Sequence, residues 1–328
     1  MRGIWLTNTD STILHSPENI EQGLKQLKAL GFDTIYPTVW HRGHTLYPSE
    51  IAAKHTGCST LPDSPYVGRD CLAELISIAK NLNLRVVAWW EYGLMLPSDC
   101  GMAQKYPGSL TFTNTGTTQR RKATSAQLDP CVWLNPCDPD VSERMNELLV
   151  DLVQRYDLDG VQFDDHWAWP IELGFDPATQ AFYRQSQTGI WPFGERQSWA
   201  EWSTDQVTLC FRSAVNQIKA FRPELQISVA PNPLHFSIDN YRMDWAQWLD
   251  LVDELIIQVY RYDLKGFQGE LAKPELQAIK HKTSIGILTG LKDKLQPLQL
   301  IQEQIAAVEA ARFRGYACFF YETAIDRS

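Results

Sequence analysis

The sequence predicts a (β/α)8 barrel, an α/β fold of the TIM type in a single domain. Three observations predict it. Eight short strand-like runs alternate with amphipathic helical stretches. Helix-to-strand connections are short, from Gly31 to Asp33, Asp157 to Gly160 and Asp253 to Glu254, whereas strand-to-helix connections are long, from His41 to Arg69, Leu94 to Pro139 and His166 to Gln197. A barrel enzyme grows its long loops on the C-terminal face in this way. The strand ends also carry acids, amides and aromatics. A doubly wound sheet is the runner-up.

The strands are expected in RGIWLT from Arg2, DTIYPTVW from Asp33, RVVAWWEYG from Arg85 and GVQFDD from Gly160, then LQISVAPN from Leu225, ELIIQVYR from Glu254, TSIGILTG from Thr283 and YACFFYET from Tyr316. The first helix is ENIEQGLKQLKALG, with Ile20, Leu24, Leu27 and Leu30 on one face and Gly31 as its stop. DCLAELISIAKNL, VSERMNELLVDLVQRY, the stretch from Trp202 to Phe221, DWAQWLDLV, PELQAIKH and QLIQEQIAAVEAARFRG follow the same pattern. Only Thr323 to Ser328 follow strand eight, so the last helix is expected to be short or missing. No internal repeat or low-complexity linker divides residues 1–328.

Composition narrows the function classes. The chain has 328 residues, 44% hydrophobic and 21% charged, which suits a globular protein with a large core. A net charge of −9 without a long basic run argues against nucleic acid as a partner. No apolar run approaches the roughly 20 residues that span a bilayer. No leader is visible, because Met1 sits one residue ahead of the first strand. Seven cysteines show no CxxC pair or zinc-ligand spacing, so neither a metal nor a cofactor is expected. Cys100, Cys131 and Cys137 share one long loop, which leaves room for a disulfide.

The most telling stretch is LDGVQFDDHWAWP, from Leu158 to Pro170. A strand runs straight into Asp164 and Asp165, with His166, Trp167 and Trp169 at once behind. Paired carboxylates cleave acetals, and indoles stack on the apolar face of a pyranose. Strand alternation puts Val161 and Phe163 towards the helices and Gln162 and Asp164 towards the barrel axis. Asp164 is therefore the first choice for a catalytic carboxylate. Asp165 points sideways, towards an arginine or His166. Capping of the loop is the bland alternative for both.

Other strand ends add polar groups: Asn8, Thr9 and Asp10 on strand one; Trp40, His41 and Arg42 on strand two; Trp89, Trp90, Glu91 and Tyr92 on strand three. Asn232 ends strand five, Gln258, Tyr260 and Arg261 end strand six, and Tyr321 and Glu322 end strand eight. Singly each is weak, since Trp89 suits core packing and Arg261 a surface charge. Together they suggest a sugar site. Acetal hydrolysis needs one carboxyl to protonate the leaving oxygen and another to stabilise or attack the oxocarbenium-like centre. Asp164 fits the second role, and Glu91 and Glu322 are the candidates for the acid. Chitinase-like barrels carry DGxDxDxE on strand four. Here the stretch is DGVQFDDH, with Gln162 in place of one acid and His166 in place of the glutamate.

RGIWLTN at the start, HRGHTLYPSEIA after strand two, WLNPCDPDV, LDGVQFDDH on strand four, the DW near Trp245, IQVYR on strand six and FFYE on strand eight together resemble the glycosyl hydrolase-like 10 family. The resemblance runs from Arg2 to Glu322. It implies a TIM barrel, glycoside hydrolysis and a bacterial, often envelope-attached protein. For some members it implies peptidoglycan glycan strands stripped of their peptides as the substrate. By position, it implies that Asp164 and Asp165 are the strand-four acids, Arg42 the strand-two arginine, Gln258 and Tyr260 the strand-six pair and Glu322 the strand-eight acid. The family more often has asparagine where Glu91 stands. Localisation follows the resemblance: envelope or secreted if a leader has been removed, otherwise cytoplasmic. Two other readings are a non-catalytic glycan-binding barrel and a metal-dependent hydrolase using Asp164, Asp165 and His166. The sugar, its linkage and the oligomeric state are not written in the sequence.

Overall fold

The computed structural model describes residues 1–121, 127–188, 196–291 and 294–325. Eight parallel strands close on themselves: β1 Arg2–Leu6, β2 Thr34–His41, β3 Arg85–Trp90, β4 Gly160–Asp164, β5 Gln226–Ala230, β6 Glu254–Gln258, β7 Thr283–Leu288 and β8 Gly315–Phe319. Closure comes from β1, which pairs with β2 on one side and β8 on the other. The expected barrel is what forms, and all eight expected strand segments are strands.

Alternation along each strand builds two cores. Ile4, Leu6, Ile35, Val161, Phe163, Leu255 and Ile257 face outward and pack on the helix layer. Trp5, Tyr36, Val87, Trp89, Ala230, Ile256 and Ala317 fill the barrel. Its polar interior groups bond to one another, as buried groups must. Trp5 Nε1 donates to Gln162 Oε1 at 2.7 Å, Gln162 Nε2 donates to Ser228 Oγ at 3.0 Å, and the Tyr36 hydroxyl donates to Glu254 at 3.0 Å.

Helix α1, Pro17–Ala29, starts where Ser16 accepts from the Asn19 N–H, with proline in the first turn. It buries Ile20, Leu24 and Leu27, but Leu30 is the C-cap residue and is exposed, a departure from the expected face. α2 Cys71–Asn81, α3 Pro139–Arg155 and α4 Trp199–Phe221 cover the next strands, and α4 opens with a capping box between Ser198 and Glu201. DWAQWLDLV is not an α-helix: it is a short 3-10 turn at Trp245–Trp248, and the true helix there is α5, Leu234–Tyr241. α6 Leu264–Leu271 and α7 Leu298–Ala310 follow.

Strand eight stops earlier than expected. Thr323 Oγ1 accepts from the Phe320 N–H and Ala324 N donates to Phe320 O, so the chain turns directly into a short helix, α8 Tyr321–Ile325. Tyr321 and Glu322 therefore lie on that helix, not on a strand. All seven cysteines are free thiols, so the long loop holds no disulfide. Among the described residues no helix is long and apolar enough to cross a membrane.

Candidate active site

The C-terminal ends of β1, β3, β4, β5, β6 and β8 converge on a cleft of about 170 Å³, lined by Trp5, Trp89, Glu91, Asp164, Asp165, His166, Ala230, Gln258, Tyr260 and Phe319. β4 delivers the acids. Val161 and Phe163 are buried outside the barrel, and Phe163 packs edge-on against Trp167 and Phe211. That outward packing forces Gln162 and Asp164 inward, as alternation requires.

Asp164 is buried, with Trp89 Nε1 donating to its Oδ2 at 3.0 Å and Gln258 Nε2 at 3.5 Å from its Oδ1. The Asp165 N–H also donates to Oδ1. Burial, then the neighbouring Asp165 charge and Glu91, hold the Asp164 carboxyl well above the ordinary carboxylate range. Asp165 goes the other way. Burial raises it, but His166 and the amide of Asn232, which donates at 2.5 Å, outweigh burial and hold it below its ordinary value. The two acids are thus pushed in opposite directions, Asp164 up and Asp165 down, as a tightly coupled pair.

Glu91 stands just past β3. Its Oε2 is 2.7 Å from His41 Nδ1, and His41 Nε2 is 3.4 Å from Thr9 Oγ1. His166 Nδ1 lies 3.1 Å from the Glu91 carbonyl oxygen, which only accepts, so that nitrogen carries a hydrogen. The same nitrogen is 3.5 Å from Asp165 Oδ1. Tyr92 stacks on His166 and meets His41 edge-on, and burial pushes its phenol up to about 12. Gln258 is fixed by a 2.7 Å bond to the Ala230 carbonyl oxygen. Tyr260 lines the cleft beside Phe319, and burial keeps it a neutral phenol.

Of the residues singled out in the sequence, Glu91, Asp164, Asp165, His166, Gln258 and Tyr260 come together, with His41, Tyr92 and Asn232 one contact behind. Asp10 and Arg42 are exposed in left-handed backbone just after β1 and β2, and Asn8 is half-buried. Six others lie elsewhere. Trp40 and Trp90 stack on each other at 5.0 Å in the outer core, and Trp167 is buried against Phe163, so none of these three offers a ring face to a ligand. Arg261 is anchored to Glu270 at 2.7 Å. Glu322 accepts from Ser11 and from the Thr12 N–H, and burial raises its carboxyl; with Tyr321 it lines a separate hollow beside α1.

Two aromatics of the cleft, Trp5 and Phe319, were missed, and Trp89, named at the end of strand three with core packing as its alternative, lines the cleft too. Register identifies Trp89, which sits opposite inward-facing Gln162, whereas Trp90 sits opposite Phe163. Asp164, Asp165 and His166 each offer a donor atom within 4.8 Å of the others, the one cluster of three or more acidic, histidine or cysteine side chains among the described residues spaced to hold a cation.

A closed barrel with paired acids and aromatics at the C-terminal strand ends defines the TIM-barrel class of glycoside hydrolase-like proteins. Within it the chain belongs to the glycosyl hydrolase-like 10 family, whose pattern matches residues 1–305. Glycosyl hydrolase DigH of Escherichia coli K12 is 23% identical over 350 aligned positions, covering 90% of this chain and 75% of that protein. The glycoside hydrolase domain of PgaB (BpsB) from Bordetella bronchiseptica superposes with a TM-score of 0.74 at 13% identity, covering 99% and 95% of the two chains. The catalytic domain of a β-amylase from Paenibacillus polymyxa gives 0.62 at 8% identity, covering 98% and 92%. At these identities the two structures share the fold.

Proposed function

We propose that this protein is a glycosidase that cleaves a polysaccharide, with Asp164 as the proton donor and Glu91 as the second carboxylate. The observation that carries this is the Asp164–Asp165 pair on the floor of an aromatic cleft. Its environment pushes one carboxyl up and the other down, so the pair favours one proton held beside one charge. Asp164 gives its proton to the leaving glycosidic oxygen. The Asp165 charge holds that proton in place beforehand. Glu91, steadied by His41, supplies negative charge to the oxocarbenium-like centre. Trp5, Trp89 and Phe319 offer apolar surface to the sugar ring, the Gln258 amide oxygen offers an acceptor to its hydroxyls, and the Tyr260 hydroxyl offers a donor.

The proposed substrate is a cell-envelope glycan, with peptide-free peptidoglycan strands foremost, which places the protein in the envelope. The test is a product assay by mass spectrometry. Wild type and Asp164→Asn are incubated with peptide-free peptidoglycan glycan, chitin oligomers and α- and β-glucans. Cleavage by the wild type alone is the expected result. Glycan binding without cleavage by either protein would make this a non-catalytic sugar-binding barrel.

A further inference from the structure

We propose a second sugar site on the same face, which holds a remote stretch of the polymer whose reacting unit sits in the cleft. It rests on the glycosidase reading above. The cleft, at about 170 Å³, falls below the roughly 300–1,000 Å³ of ordinary ligand pockets. A chain bound only there would be held by little more than the ring being cut. A cavity of about 720 Å³ opens nearby, between the β4–α4 connection, the start of α4 and the outer side of α5.

Two chain segments run from one space to the other. His166 lines the cleft and Ile171 the cavity, five residues apart in sequence, so at most ~18 Å of extended chain separates them. Asn232, which holds Asp165, leads directly into α5, whose Ile238 and Asp239 line the cavity. The wall they form is rigid. Trp169 N and Ile171 N donate to the carbonyl oxygens of Tyr241 and Asn240. The buried Arg242 guanidinium bonds the carbonyl oxygens of Pro170, Ile171 and Leu173 and lies over the Trp169 and Trp199 rings. Nothing in the fold of the wall requires exposed apolar surface, yet Ile171 is 45% and Phe175 40% exposed beside half-buried Trp199.

An apolar platform ringed by carboxylates and amides is the chemistry that grips a pyranose. Charge selects among sugars. Glu201, Asp205, Asp239 and Asp244 face the cavity against two arginines, of which Arg242 is already committed to backbone carbonyls. The site therefore takes the uncharged units of the polymer and repels a chain that carries a carboxylate on every unit, such as a polyuronate.

Calorimetry on Asp164→Asn tests this with peptide-free peptidoglycan hexasaccharide, chitohexaose, cellohexaose and maltohexaose, their disaccharides, and hexagalacturonate. One of these hexasaccharides other than hexagalacturonate should bind about tenfold tighter than its disaccharide. The Ile171→Ser/Phe175→Ser pair should erase that gain while leaving disaccharide affinity and thermal midpoint unchanged. Survival of the gain in the double variant, or equal binding of hexagalacturonate, overturns the proposal. If wild type cuts a glycan of the panel but shows no chain-length gain, only the second site fails. If it neither binds nor cuts any of them, both readings fail.

Discussion

The indole N–H of Trp89 donates to Asp164 Oδ2 across 3.0 Å, wholly inside the barrel. A neutral donor aimed at a buried carboxyl fixes its rotamer and eases its ionisation. Trp89→Phe keeps an aromatic ring but removes the N–H. The bond is worth on the order of 1–2 kcal/mol, so kcat is expected to fall about tenfold. The alkaline limb of the pH–rate profile should move upward at the same time, because Asp164 loses a group that favours its charged form. A fall in kcat with no movement of that limb would argue that Trp89 only fills space.

The proton on Asp164 also leaves a mark on stability. Between the ordinary carboxylate range and the raised value of Asp164, the folded chain keeps a proton that the unfolded chain has released. Folded stability therefore declines as pH rises through that window. Asp165, held below its ordinary value, acts in the opposite sense and only in more acidic solution. Asp164→Asn removes the first effect. The melting temperature of the variant minus that of wild type is expected to grow as pH rises above the ordinary carboxylate range. A difference that stays flat over that rise would place the proton elsewhere.

The barrel was legible because two periodicities coexist in the chain: alternation within strands and the helical stripe between them. The same alternation placed Gln162, Asp164, Gln258 and Tyr260 on the inner side, where they lie. It fails where strands end. Glu91, Tyr321 and Glu322 follow turns, so strand parity no longer governs them. Trp40 and Trp90 illustrate a different limit. An indole at a strand end suits a sugar platform and an outer core equally well, and only register against β4 separates Trp89 from Trp90. The cavity beside α5 had no sequence signal, because α5 itself lacks a clear stripe and its place is set by Asn232, Arg242 and the backbone of the preceding loop.

Arg242 offers a test of that scaffold. It sits in left-handed backbone at the end of α5, and burial lowers its pKa to about 10. Arg242→Met keeps most of the volume but strands the carbonyl groups of Pro170, Ile171 and Leu173. The loss should be on the order of 3 kcal/mol. The 165–176 loop should become the first site of limited proteolysis, whereas a stability unchanged from wild type would mean water replaces the guanidinium without cost.

Gly93 ties the two halves of the catalytic turn together. It has a φ of 49°, and a Cβ there would lie 2.4 Å from the carbonyl carbon and oxygen of His166. The next residue, Leu94, donates its N–H to that same oxygen at 3.0 Å. Any side chain at 93 must therefore push the His166 turn, and with it Asp165, away from Glu91. Gly57 provides the control: its φ is 85°, but nothing lies within 4 Å of a Cβ at that position. Both alanine variants bear the backbone strain, about 1 kcal/mol each. Only Gly93→Ala adds the collision. Gly57→Ala is expected to lose a little thermal stability and keep its kcat, while Gly93→Ala should lose about tenfold or more in kcat, since small displacements of reacting groups are costly. Measuring both variants side by side separates strain from displacement, and equal kcat values in the two would show that the His166 turn does not position the acids.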